Sequence, residues 1–236
     1  MAFPSARSAS NGTQGTNSNS WTVTYPATIA AGDLILLNCG IDGNPTPSAT
    51  GFTVLKSMEN SAQVRGATLY KIADGTESGN FTLSLTASEQ GVWSMVAIQD
   101  WHGIISGGCE VSTGASGSSS TPDPDSLTPS WGADDTYWIA VCALGDGRYS
   151  VSAYPTNYGI NQFGDASGGA QGGGLARASR QLNATSDNPG TFTWSGINAW
   201  VAYTIAIRPG APPPLLPALM RLRVGPNQAV HRAAVI

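Results

Sequence analysis

The chain has 236 residues, of which 41% are hydrophobic and only 11% charged, with a formal net charge of −4. The hydrophobic share supports a substantial core, while a charged share far below the usual quarter or so argues against a helical cytosolic enzyme. Up to Arg208 there are eight Lys or Arg against fifteen Asp or Glu, a net of −7 that argues against nucleic-acid binding, and three Arg with no acid follow.

The N-terminal stretch "MAFPSARSASNGTQG" lacks the apolar centre of a signal peptide. No segment approaches the ~20 apolar residues that span a bilayer. Synthesis in a cytoplasm, with no membrane partner, is therefore expected. Cys39, Cys109 and Cys142 are odd in number and widely spaced, which fits neither a disulfide framework nor a zinc signature.

Strand signals dominate the first half. "SWTVTYP" alternates polar and apolar residues from Ser20 to Pro26. "DLILLNCGI" is a continuous apolar run, the pattern of a strand buried on both faces. "GFTVLKSM" follows, then "GATLYKIA", which ends at the turn pair Asp74-Gly75. "GNFTLSLTAS" alternates again, and "GVWSMVAIQDW" closes the half. Short runs punctuated by Gly, Asn, Asp and Pro predict a sandwich or barrel.

The segment from Ser106 to Asp125 is poor in apolar residues and reads as a loop. Beyond it the order of elements recurs. "LTPSWGADDTYWIAVCAL" answers "TYPATIAAGDLILLNCGI", and "GGLARASRQL" answers "RGATLYKIA". "GTFTWSGINAWVAYTIAI" answers "GNFTLSLTASEQGVWSMVAI", with Phe192 matching Phe81 and Ile207 matching Ile98. The Gly-rich stretch from Asn157 to Gly174 is the main departure. An internal duplication is predicted, with repeats at about 20–105 and 126–208. Two small sandwiches or one interleaved sandwich would satisfy it. One is favoured, because each half offers four or five strands and a two-sheet core needs about seven. The expected fold is an all-β, jelly-roll-like or Ig-like sandwich over 1–208, with Cys39 and Cys142 at equivalent core positions.

Pro209 to Ile236 reads as a Pro-rich linker and docking arm. Leu215, Leu216, Leu219, Met220, Leu222 and Val224 are many apolar groups to leave a domain, and Arg221 and Arg223 alternate with them. Strand addition to a partner would cover them.

The residues select no chemistry. His102 and His231 stand apart, and no nucleophile-elbow, zinc-helix or phosphate-loop motif occurs. Asp33 and Asp135 recur at the entry to each long strand, which fits a turn-forming role. A calcium site from Asp123, Asp125 and Asp134 is the less favoured alternative. No catalytic, metal or cofactor residue is assigned. Of seven Trp, those at 93, 138 and 200 lie in apolar runs and are expected in the core. Tyr149, Tyr154 and Tyr158 are the candidates for an exposed ligand surface, as aromatic faces stack on sugars.

The patterns "AGDLILL", "YKIADGTESGNFTLSL", "DGRYSVSAYPTNY", "LARASRQLNATSDNPGTFTWS" and "AIRP" together resemble a family of β-sandwich proteins in tailed bacteriophages. The resemblance covers about Pro26 to Pro209 and does not include the arm. It implies a virion structural protein on the particle exterior and supplies no catalytic residues. The expected function is a non-enzymatic capsid decoration, cement or head-fibre protein anchored through the arm to other virion proteins. A tail-fibre or receptor-binding module for a host-surface glycan is the alternative. Assembly as a homo-oligomer is expected, a trimer by analogy alone.

Overall fold

The computed structural model describes residues 2–169 and 171–210, none of them helical. Among the described residues fourteen strands run in chain order. The first half holds β1 (Ser5–Thr24), β2 (Leu34–Asp42), β3 (Pro47–Ser48), β4 (Thr53–Asn60), β5 (Val64–Ile72) and β6 (Asn80–Gln99). The second holds β7 (Cys109–Val111), β8 (Ala115–Ser119), β9 (Asp134–Leu144), β10 (Val151–Ala153), β11 (Ile160–Ala166), β12 (Gly174–Ala184), β13 (Thr193–Trp194) and β14 (Asn198–Ile207).

The fold is all-β and antiparallel, as the periodicity predicts. Each half builds one complete sheet. The first has the order β1-β6-β2-β5-β4, with β3 on β6. The second has the order β11-β12-β9-β14-β7, with β8 on β14. Read from the other edge, β14, β9, β12 and β11 follow one another as β6, β2, β5 and β4 do. The two halves thus share one strand order, and because each sheet comes from one half of the chain the halves do not interleave as in a jelly roll.

Register identifies the equivalent residues. Leu34 pairs with Ile98 and Tyr137 with Ile207, so the Ile match read from sequence holds. Cys39 faces Ala67 and Trp93, while Cys142 faces Ala176 and Ala202. The two cysteines are equivalent and buried, as expected. The acids are not: counting back from the cysteines, the counterpart of Asp33 is Thr136, because the acidic pair sits one residue earlier in the second copy. Asp33 accepts from Arg7 Nε at 2.6 Å and from Ala30 N at 2.9 Å, pinning the turn before β2.

The two sheets pack face to face. Leu34, Leu36, Val92, Val96 and Ile98 of one meet Ile139, Val141, Leu175, Ile205 and Ile207 of the other. Each sheet is also covered on its outer face, which is why β2 and β9 are buried almost throughout. The first is covered by its own ribbon. β1 and β6 pair along their lengths from Ser5↔Gln99 to Thr24↔Asn80, with register shifts after Ala6 and on either side of Ser18. The far half of that ribbon packs Trp21, Val23, Leu83 and Leu85 onto Ile35, Leu37, Cys39 and Met95. Gly91 permits the fold-back, since a Cβ there would lie 2.5 Å from Trp21 Cη2 and collide with the Gly40 carbonyl. The second sheet is covered by the β10–β13 pair and loops, which lay Tyr158, Phe192 and Trp194 over Trp138, Cys142 and Trp200.

Two expectations are corrected. The segment 106–125 is not all loop, because β7 and β8 pair with β14 inside it. The first sheet likewise begins at Ser5, well before Ser20. β8 and the first half of β1 are strands made mostly of Ser, Gly, Ala, Thr and Asn, which satisfy a ladder without burying an apolar face.

Candidate functional site

β2 and β9 run in the same direction in facing sheets. Their first residues and their last residues therefore gather at opposite poles of the molecule. At the entry pole Gln181 Nε2 donates to the Pro4 carbonyl at 3.0 Å, and Trp101 bridges to Pro209. Gly210 N donates to Asp100 O at 2.8 Å, so the last described residue lies at this pole. At the exit pole, roughly 26 Å away by strand rise, the two Asp-Gly turns of the repeated phrase converge.

They frame a cleft of about 460 Å³. Asp42 and Asp146 contribute one carboxylate from each copy, and Glu89 a third. Asn17, Gln63, Gln171 and Asn198 add amides. The bend of the long ribbon brings in Asn17 and Glu89, and the β4–β5 turn brings in Gln63. Asn17 Oδ1 accepts from Gln90 Nε2 at 3.0 Å, which fixes one wall across the bend.

The carboxylates differ in state. Asp146 is buried, which opposes its charge, but Arg148 Nε reaches Oδ1 at 3.0 Å and Nη2 reaches Oδ2 at 2.5 Å. Arg148 N adds a bond at 2.9 Å, and the carboxyl is held below its ordinary range. Asp42 is pushed up to about 6, first by burial and then by Glu89, against the opposing bond from Gly43 N. Asp42 therefore takes up its proton as pH falls through about 6. Carboxylate acceptors beside amide donors suit vicinal hydroxyl groups, and the volume suits a small sugar unit. Among the described residues, no three His, Cys, Asp or Glu side chains group so as to hold a metal ion. Asp134 of the acid trio considered above is bonded to Arg208 Nε at 3.0 Å.

The three tyrosines do not form one exposed surface. Tyr158 is buried, with 1% of its surface exposed. Its hydroxyl donates to Asp187, and the Arg180 guanidinium lies 5.0 Å from its ring centroid. The loop composition around it hid an inward-facing ring. Tyr154 is half-buried and meets Phe192 edge-on at 6.1 Å. Tyr149 is half-buried, with Arg148 at 5.6 Å over its ring, and adjoins the cleft through the Arg148–Asp146 pair. Trp93, Trp138 and Trp200 are core residues, as predicted.

Sequence reasoning missed two groupings. Tyr25, Phe52 and Phe81 form a half-exposed cluster with centroids 4.7 to 6.5 Å apart. Tyr25 follows β1, Phe52 precedes β4 and Phe81 lies in β6, and only the fold unites them. The cleft was also missed, although the recurring Asp-Gly was its visible signal. The arm residues Leu215, Leu216, Leu219, Met220, Arg221, Leu222, Arg223 and Val224 lie outside the described residues.

No helix among the described residues is long and apolar enough to cross a membrane. Comparison of the chain with known protein families, with curated proteins and with solved structures finds no match.

Proposed function

We propose that the chain is a non-enzymatic structural protein of a tailed-bacteriophage virion, a capsid decoration, cement or head-fibre protein attached through Pro209 to Ile236. The virion assignment rests on the sequence patterns quoted above. The mode of attachment rests on one observation: Pro4 and Gly210 lie at the same pole, and the cleft lies at the other. A module tethered at one pole presents the opposite pole outward. Burial of both sheets on both faces gives it a rigid body that does not depend on the partner for its core. Several Leu, Met and Val side chains buried by a docked arm would contribute about 1.5–3 kcal/mol each before ordering costs.

The test compares the full chain with one ending at Gly210, each mixed with particles that lack the protein. The shortened chain keeps Pro209 and Gly210, whose backbone bonds belong to the body. It is expected to fold and to stay in the supernatant when particles are sedimented. Equal co-sedimentation of both forms would remove the arm from attachment.

The cleft favours a second reading, a fibre module that binds host-surface glycan. On that reading Glu89→Ala or Asn198→Ala weakens glycan binding by about tenfold or more, the worth of one polar contact to a ligand. Tyr154→Ala leaves it unchanged. Loss with Tyr154→Ala and none with the cleft variants would return the ligand to the tyrosine loop.

A further inference from the structure

The two halves of the chain finish the same aromatic corner differently. In the second half it is closed. Tyr158 and Phe192 are 1% and 0% exposed. Tyr154 meets Phe192 edge-on at 6.1 Å, and Pro155 beside it is buried. Arg180, bonded to Asp187 from Nε at 2.9 Å, lies over the Tyr158 ring.

In the first half the corner is open. Counting along β5 and β12 from the alanines that face the two cysteines, Lys71 stands where Arg180 stands. It likewise reaches an acid, Glu77, at 2.7 Å. Phe81 answers Phe192. Phe52 and Tyr158 close matching turns, with Phe52 N on Ala49 O and Tyr158 N on Pro155 O, each at 3.1 Å. Ala49 therefore takes the place of Pro155, and the exposed Ser48 that of Tyr154. The ring and the proline that close the second corner are both missing from the first. Tyr25, 4.7 Å from Phe81, joins the group, yet all three rings stay partly exposed.

Position and composition together name an occupant. Lys71 pairs with Ile35 and Thr53 with Tyr70, so the rings lie over the entry half of the first sheet. Gly210 is at the same pole, at the end of β6 and two strands from β5. From there Trp101 Nε1 donates to Gly32 O at 2.7 Å, and Gly32 N to Ala73 O at 2.8 Å, two residues from Lys71. With strands about 4.8 Å and layers about 10 Å apart, Gly210 lies roughly 15–20 Å from the rings. The sequence that follows it, 211–217, is "APPPLLP". As polyproline, seven residues span about 22 Å. Such a segment docks readily on aromatic faces, because it has little conformational freedom left to lose.

We propose that residues 212–217 lie as a strap across Tyr25, Phe52 and Phe81 of their own chain. The strap supplies to the first corner what Pro155 supplies to the second. Only the residues beyond Pro217 then remain to reach a partner. The strap belongs to the free chain and stands apart from the virion reading.

The test is nuclear magnetic resonance of the full chain. Nuclear Overhauser contacts are expected between ring protons of Pro212, Pro213 or Pro214 and the rings of Phe52 or Phe81. This readout needs no variant to fold. Absence of any contact from residues 212–217 to the three rings would overturn the proposal. A sample mixing labelled and unlabelled chains separates contacts within a chain from those between chains. Contacts found only between chains would also overturn it, and would make a second copy the occupant. Thermal unfolding of full-chain variants gives an independent reading. Pro213→Gly with Pro214→Gly is expected to lower Tm in the wild-type background. The same pair is expected to change nothing further in a chain carrying Phe52→Ser and Phe81→Ser. Additive losses would contradict a contact between strap and rings.

Discussion

At the scale of single residues, environment decides what each polar group does. Asp42 closes β2 and Asp146 lies two residues past β9 in the same cleft, yet one is pushed up to about 6 and the other held down. The difference is Arg148, which answers Asp146 and leaves Asp42 facing Glu89. Because Asp42 is raised above its unfolded value, the folded state binds its proton more tightly. Stability from this group is therefore present at low pH and lost as pH rises through about 6. Asp42→Asn should raise stability above that pH by about 1 kcal/mol, after allowance for the group's partial exposure, and leave it unchanged near pH 3. Urea unfolding at the two values would read this, and a variant equally stabilised at both would remove the electrostatic cause. Tyr158 makes the complementary point. In sequence it is one of three loop tyrosines. In space it is a core ring tied to Asp187 and Arg180, a partnership some thirty residues away in the chain that no local pattern announces.

At the scale of elements, apolar patterning was legible and polar strands were not. β2, β9 and β14 are continuous apolar runs, and each is buried on both faces because each sheet has a cover. The first half of β1 alternates half-buried and exposed small residues, so no period marks it. Its partner β6 was legible as two pieces, and the fold-back that makes them one ribbon depends on Gly91. Gly91→Ala should cost about 1–3 kcal/mol, the range for forcing one carbon into a filled core. A urea midpoint equal to wild type would mean that the ribbon shifts freely and that the bend is not fixed by this contact. Partnership across the cleft was equally hidden. The repeated Asp-Gly could be read from the chain, but not that the facing sheets would carry both copies to one pole.

At the scale of the whole molecule, the two halves of the chain build two sheets that need each other. Their inner faces share one cluster, and the Thr68–Tyr203 and Arg177–Ser94 contacts cross it. Neither copy buries its inner face alone, so unfolding should be a single transition seen alike by Trp93 and Trp138. Separate transitions for the two would mean that each sheet is stable with its own cover, as two small domains would be. The same arrangement gives the molecule polarity. Residues 4 and 210 mark one pole, and the cleft between the copies marks the other. The repeat was visible in sequence, whereas the polarity was not, because it follows from the parallel course of β2 and β9 in facing sheets.

That polarity is the core of the attachment reading, and its most direct test is immunogold electron microscopy of intact particles. The antibody would be raised against residues 1–210, the body without the arm. Gold spread over the heads is the predicted result, with the body outermost and the arm beneath it. Intact particles without gold, from lysates in which the protein is abundant, would contradict the account.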